Sequence, residues 1–258
     1  MTAGSAMALL RDGKIASTRV RGPVTLETNF RLASVTKQFT AAAIGVLVSR
    51  GVMDYDTPDA RGITIRHLLH HTSGLADYEE LLAPDRTEQV HDDEVAAMVE
   101  AAPLLFAPGT RFRYSNSGYV LLGVLIERAT GVSLERFFEE ELFAPRGMHG
   151  TTLGPGKNRA YGHPHDQSVT SATRGDGGVY SNVLDLARWM ANGPVVGDTV
   201  PADVEDTRYG FGWYVRGNRV WHCGDTAGFR TAIVCEGNRT TIALTNVGQA
   251  SACSGGAG

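Results

Sequence analysis

Hydrophobic and polar positions change period along the chain, and each change predicts a different kind of structure. Ser5 to Leu10 and Lys14 to Val20 are short apolar-rich runs separated by Arg11-Asp12-Gly13. An Asp-Gly pair suits the left-handed backbone of a tight turn, so these runs predict a β-hairpin. From Ser34 to Arg50 the apolar positions Val35, Phe39, Ala42 and Val46 recur every three or four residues, and Gly51 stands where a helix stops. This segment is alanine-rich and apolar nearly all round, which predicts a central, buried helix. Further helices are predicted behind polar caps. Thr64 caps one through His71, and Asp92 caps another through Ala101. Ser117 to Ala129 is helical in pattern and stops at Gly131, Ser133 caps Leu134 to Phe143, and Ser181 caps Asn182 to Ala191. The period then becomes that of strands: Tyr209 to Arg216, Arg219 to Cys223, Phe229 to Glu236 and Thr240 to Asn246. Turn signals separate them at Gly217-Asn218 and Gly237-Asn238. The simplest assembly joins the first hairpin and the last strands in one antiparallel sheet. The expected class is mixed α/β, with residues 1–56 and 170–258 as a discontinuous sheet lobe and 57–169 as an inserted, mostly helical lobe.

Composition narrows the class. The chain has 258 residues, 42% hydrophobic and 20% charged, which suits a globular protein with a real core and excludes a disordered tail or a disulfide mini-scaffold. Formal net charge is −4, from 24 basic and 28 acidic residues, so no basic surface points to nucleic acid. No apolar run reaches the about 18 residues of a membrane helix. Met1 to Leu10 lacks the basic segment and hydrophobic block of a signal peptide. Cys223, Cys235 and Cys253 are odd in number and have no metal or redox spacing. They read as free thiols of a reducing compartment, hence a cytoplasmic protein, although a secreted mature form reads the same.

The chemistry begins at Ser34-Val35-Thr36-Lys37. A helix start presents free N–H groups, which help a serine there carry developing negative charge. A lysine three residues on lies one turn away on the same face, and on a buried helix its ammonium is destabilised toward the amine. Serine beside such a lysine is an activated nucleophile. Two further constellations stand apart in sequence: Tyr114-Ser115-Asn116 before the Ser117 helix, and Trp221-His222-Cys223-Gly224 running into Asp225 on a predicted strand.

These boxes, S-x-x-K, Y-x-N and H-x-G in that order, resemble the serine hydrolases of the class C β-lactamase and penicillin-binding protein group. Leu68-Leu69-His70-His71-Thr72-Ser73-Gly74-Leu75 and Gly177-Gly178-Val179-Tyr180-Ser181 with Asp185-Leu186-Ala187 resemble two more of its segments. The similarity runs from about residue 5 to residue 247. It implies a β-lactamase/transpeptidase-like fold with the site at the start of the Ser34 helix. It implies Ser34 as nucleophile, Lys37 as proton shuttle and Tyr114 as base, its phenolate favoured by the nearby ammonium. Asn116 fixes Lys37 and meets a substrate carbonyl. The backbone N–H groups of Ser34 and Asp225 form the oxyanion hole, beside His222 and Gly224. This chemistry needs no cofactor and no metal. His67, His70 and His71 have a metal-like spacing, but the family segment explains His71 as a structural residue before a turn.

The chain also departs from that pattern. His222 and Cys223 stand where β-lactamases and penicillin-binding proteins usually carry lysine and threonine, and a neutral imidazole and a thiol hold a carboxylate poorly. The H-x-G form is similar to the family's esterases and D-amino-acid amidases or peptidases. The expected substrates are therefore carboxylic esters or small amides. The rivals are a D,D-peptidase or slow β-lactamase, an acyltransferase, and a binding module that keeps the fold without catalysis. The family's first and last helices have no counterpart in the sequence. Thr231 to Cys235 and Thr241 to Leu244 nonetheless read as strands covered on both faces. A second copy, another chain, or polypeptide beyond this sequence is expected to cover that face.

Overall fold

The computed structural model describes residues 3–163 and 171–247. The chain begins with strands β1 (Ser5–Arg11), β2 (Lys14–Arg21) and β3 (Phe30–Arg31). Helices α1 (Lys37–Ser49), α2 (Ile65–Leu69), α3 (Tyr78–Leu81), α4 (Asp92–Ala101), α5 (Asn116–Thr130) and α6 (Leu134–Phe138) follow. Then come β4 (Thr152–Leu153), β5 (Val179–Ser181), α7 (Val183–Trp189) and β6 (Val200–Pro201). The last strands are β7 (Arg208–Gly210), β8 (Trp213–Arg216), β9 (Arg219–Thr226), β10 (Phe229–Glu236) and β11 (Arg239–Thr245). Among the described residues one eight-stranded sheet has the order β2-β1-β11-β10-β9-β8-β7-β6, antiparallel throughout. The first hairpin thus lies beside the last strand, as its pattern predicts. Asp12 and Gly13 form its turn with φ of 51° and 71°.

Several boundaries differ from the pattern, each for a local reason. The Ser34 segment opens as a 3-10 turn over Ala33–Thr36, and the α-helix starts only at Lys37. Asp92 is the first helical residue rather than the cap, because its carboxylate is drawn to Arg174, accepting from the backbone N at 3.0 Å and from Nε at 2.5 Å. Asn182, not Ser181, caps α7, accepting from the N–H groups of Leu184 and Asp185. The helix behind Ser133 leaves α geometry at Glu139 and continues as a π turn. The run Tyr209 to Arg216 is two strands, reversed at Phe211 and Gly212, which both take positive φ. Cys223 is disulfide-bonded rather than a free thiol, Cys235 is free and buried, and Cys253 lies outside the described residues. That removes the thiol argument for a reducing compartment. No helix among the described residues is long and apolar enough to cross a membrane.

One face of the sheet packs against helices: Ala6, Ala8, Leu10, Ile233, Ile242 and Leu244 are buried, and α7 lies on β1 and β11. The opposite face stays partly open, with Met7 43% exposed. The small sheet β3-β5-β4 ties the approach to Ser34 to the Val179–Ser181 segment, through Leu32 N to Val179 O at 2.8 Å and Val179 N to Thr36 Oγ1 at 3.1 Å. Helix α1 is fixed beneath by Phe39, whose ring meets Trp189 at 4.4 Å and Phe143 at 5.5 Å between centroids. Phe39→Ala is expected to lower unfolding free energy by about 3–5 kcal/mol in urea titrations. A loss below about 1 kcal/mol would show that this contact does not anchor the helix.

Candidate active site

Ala33, immediately before Ser34, is held at φ 47°, a left-handed conformation that alanine avoids. The following 3-10 turn places Lys37 one turn beyond Ser34 and directs its side chain inward. Lys37 is fully buried. Its Nζ donates to Ser34 Oγ at 3.1 Å, Asn116 Oδ1 at 2.8 Å and the Asp176 carbonyl at 3.1 Å. Three protons therefore meet three oxygens. Burial draws the Lys37 pKa down to about 8, against the opposing charges of Asp176, Asp77 and Glu79. The rings of Tyr114 and Tyr119 lie 5.0 and 5.5 Å from Nζ.

The Tyr114–Asn116 loop is held by the segment that follows α2. Arg113 N donates to His71 O at 2.8 Å, Ser115 N to His71 Nδ1 at 3.2 Å, and Asn116 N to Asp77 Oδ2 at 2.6 Å. The Ser117 hydroxyl donates to Ala76 O and accepts from Tyr78 N. Tyr114 lies against His71, with its hydroxyl close enough to Ser34 for Ser34 to favour the phenolate. Burial raises its phenol well above the ordinary value, and this outweighs the lowering by Ser34. The phenolate expected from the nearby ammonium is therefore disfavoured.

Strand β9 closes the other side and packs on the Ala33–Thr36 turn. Thr231 on β10 donates to Leu32 O at 2.6 Å. Gly224 comes so close that a Cβ there would lie 2.0 Å from the same carbonyl oxygen. Asp225 pairs with Arg230 in the ladder, and its side chain points to solvent. His222 is buried, with Nδ1 2.8 Å from Cys223 O and Nε2 3.2 Å from the Tyr209 hydroxyl. The carbonyl partner assigns the proton to Nδ1, so Nε2 accepts from Tyr209. Burial, reinforced by the Lys37 charge, depresses the His222 pKa to about 3. The imidazole is neutral and both nitrogens are engaged, so it offers no cation to a substrate carboxylate.

The whole run of residues 1–254 matches the beta-lactamase family. The chain belongs to that family. It is 32% identical over 288 residues to penicillin-binding protein 4* of Bacillus subtilis, covering 87% of this chain and 62% of the relative. It is 34% identical over 180 residues to esterase EstB of Burkholderia gladioli, covering 56% and 45%. The crystal structure of a D-amino acid amidase from Ochrobactrum anthropi SV3 superimposes with a TM-score of 0.81 at 24% identity, over 96% of this chain and 89% of that one. The mixed α/β architecture is therefore that of the beta-lactamase and penicillin-binding protein structures. The chain spans less than two thirds of the length of these two curated relatives.

Within this beta-lactamase-family site, the sequence boxes converge around Ser34, while other participants escaped sequence reading. Asp176 precedes the Gly-Gly segment as one more loop acid, and only the fold brings its carbonyl to Lys37. Asp77 looks like a helix cap and is one, accepting from Glu79 N, but its second oxygen holds Asn116. Tyr209 sits in a run of alternating aromatics with nothing to single it out. The clustered histidines have separate tasks: His67 Nδ1 accepts from Thr64 N, His70 Nε2 meets Asp198 O and His71 supports Ser115. His163 donates its backbone N–H to Asn246 O, and His165 lies outside the described residues. Gly224→Ala is expected to force β9 away from the Ser34 turn. It should lower the melting temperature and abolish covalent labelling of Ser34 by a fluorophosphonate, whereas unchanged melting and labelling would refute the close approach.

Proposed function

We propose that this chain is a serine hydrolase that works through a Ser34 acyl-enzyme on carboxylic esters or small D-amino-acid amides. One observation carries the reading: Lys37 Nζ lies 3.1 Å from Ser34 Oγ, and its pKa of about 8 leaves a fraction as free amine near neutral pH. The amine form of Lys37 takes the Ser34 proton as Oγ bonds the carbonyl carbon. The carbonyl electron pair moves to oxygen, where the N–H groups of Ser34 and Asp225 receive it. Collapse expels the alcohol or amine, which takes a proton from the Tyr114 hydroxyl, and the Lys37 ammonium resupplies Tyr114. Water then repeats the sequence on the acyl-enzyme: Lys37 takes its proton, its oxygen bonds the acyl carbon, and Ser34 leaves with a proton restored.

This scheme moves the role of base from Tyr114 to Lys37. A phenol raised by burial is a donor at neutral pH, while Lys37 already exchanges protons there. The neutral, engaged His222 disfavours carboxylate-bearing β-lactams and D-alanyl peptides, and the similarity to esterase EstB supports the same reading. The scheme uses no cofactor and no metal.

Intact-protein mass after fluorophosphonate treatment tests the scheme. Wild type should gain one probe mass, and Ser34→Ala and Lys37→Ala should gain none. Only the amine form of Lys37 is competent, so kcat/KM for a neutral ester should rise with pH and level off above about 8. Below that point it should fall about tenfold per pH unit. A folded wild type that resists labelling would overturn the scheme, and a profile flat between pH 6 and 9 would remove Lys37 as base.

A further inference from the structure

A second cavity, of about 500 Å³, runs along α1, and none of Ser34, Lys37, Tyr114 and Asn116 lines it. Its volume is that of a small-molecule site. It exists because α1 presents the small residues Ala41, Ala42 and Gly45 to it. A Cβ built at Gly45 meets only the Tyr55 hydroxyl within 4 Å, at 3.7 Å. Trp189, Phe211 and Trp213 form the facing walls, and Val195 on its rim is 81% exposed. Two groups set its polarity. Gln38 is 2% exposed; its Oε1 accepts from Trp189 Nε1 at 3.1 Å, and its Nε2 has no hydrogen-bond partner. The indole N–H fixes which end of the carboxamide is oxygen, so the orphaned atom is a donor. A buried donor without an acceptor is costly, and a ligand that brings an acceptor removes that cost. Arg146 is the one charged residue lining the cavity among the described residues, and its guanidinium lies over the Trp189 ring at 5.1 Å. Its Nη1 donates to Leu142 O at 2.9 Å and Glu141 O at 3.4 Å, and it makes no ion pair among the described residues. Both groups stand at Trp189, one at the edge of the indole and one over its face. That end of the cavity therefore offers donors and no acid, while its apolar length follows α1 toward Gly45. The seven-residue step from Gln38 to Gly45 spans about 10 Å of helix axis.

We infer that this cavity binds a small monocarboxylate with an elongated apolar body, its carboxylate held by Arg146 and Gln38 beside Trp189 and its body laid along Ala41, Ala42 and Gly45. The planar donors of arginine match a carboxylate in shape and charge, and Gln38 adds a neutral donor. A neutral amide satisfies Gln38 but leaves the guanidinium without a counter-charge, and a cationic ligand is repelled. No residue of the Ser34 site takes part, so the inference stands apart from the acyl-enzyme reading.

Calorimetric titration of Ser34→Ala protein with 4-phenylbutyrate and with neutral 4-phenylbutyramide reads the cavity without turnover. The carboxylate should bind about tenfold or more tightly than the amide, the range for a charged hydrogen bond. Adding Arg146→Gln should remove that preference, and adding Gln38→Leu should weaken both ligands several-fold. Adding Gly45→Leu should abolish binding of both by filling the cavity, and the helix should tolerate it because leucine favours a helix over glycine. Arg146 is at the surface, so its substitution keeps the test valid if a buried variant fails to fold. Equal affinity for the two ligands, or a preference unchanged by Arg146→Gln, would overturn the inference. So would binding unchanged by Gly45→Leu, which would place the ligand elsewhere, or no binding of either ligand at millimolar concentration.

Discussion

Lys37 has no contact with solvent, and an ammonium so placed is tolerable only while each proton meets an oxygen. The three oxygens belong to Ser34, Asn116 and Asp176, the last two 79 and 139 residues away in sequence. Satisfying this one group therefore requires the start of α1, the Tyr114 loop and the strand that follows Asp176 to meet at a point. Withdrawing any one of them leaves a buried charge short of a partner, which is worse than never having buried it. The same requirement makes the lysine reactive. Desolvation that taxes the ammonium brings the amine within reach near neutral pH.

Such a meeting point needs backbone that most residues resist. Ala33 takes a left-handed conformation that costs about 1–2 kcal/mol. Its surroundings enforce it: Leu32 is bonded on one side to Val179, and on the other its carbonyl accepts from Thr231. Gly224 lets β9 lie against that carbonyl without a side chain between. The strain is thus borne by sheet hydrogen bonds formed elsewhere, and the serine is presented at a fixed angle rather than on a mobile loop.

What could be read from residues alone follows from how local each signal is. Ser34 and Lys37 are three apart, so helical geometry alone brings them together. The hairpin at Asp12-Gly13 and the stop at Gly131 were legible for the same reason, since each depends on the backbone freedom of the residues named. The turn at Phe211-Gly212 was not, because an apolar residue at its first corner continues the strand alternation. Asp92 reads as a cap until the distant Arg174 claims its carboxylate. Asp176 carries no local signal at all. Its importance comes from a carbonyl and a side chain that only the fold sets beside Lys37. The disulfide at Cys223 lies beyond any spacing rule for a chain with three cysteines.

Burial and charge together set the reactivity of Lys37. The pKa of Lys37 is a balance in which burial lowers it and Asp176, Asp77 and Glu79 raise it. Burial prevails, so near neutral pH a fraction of Lys37 is the amine that accepts the Ser34 proton, while the acids keep the rest as the ammonium that returns it.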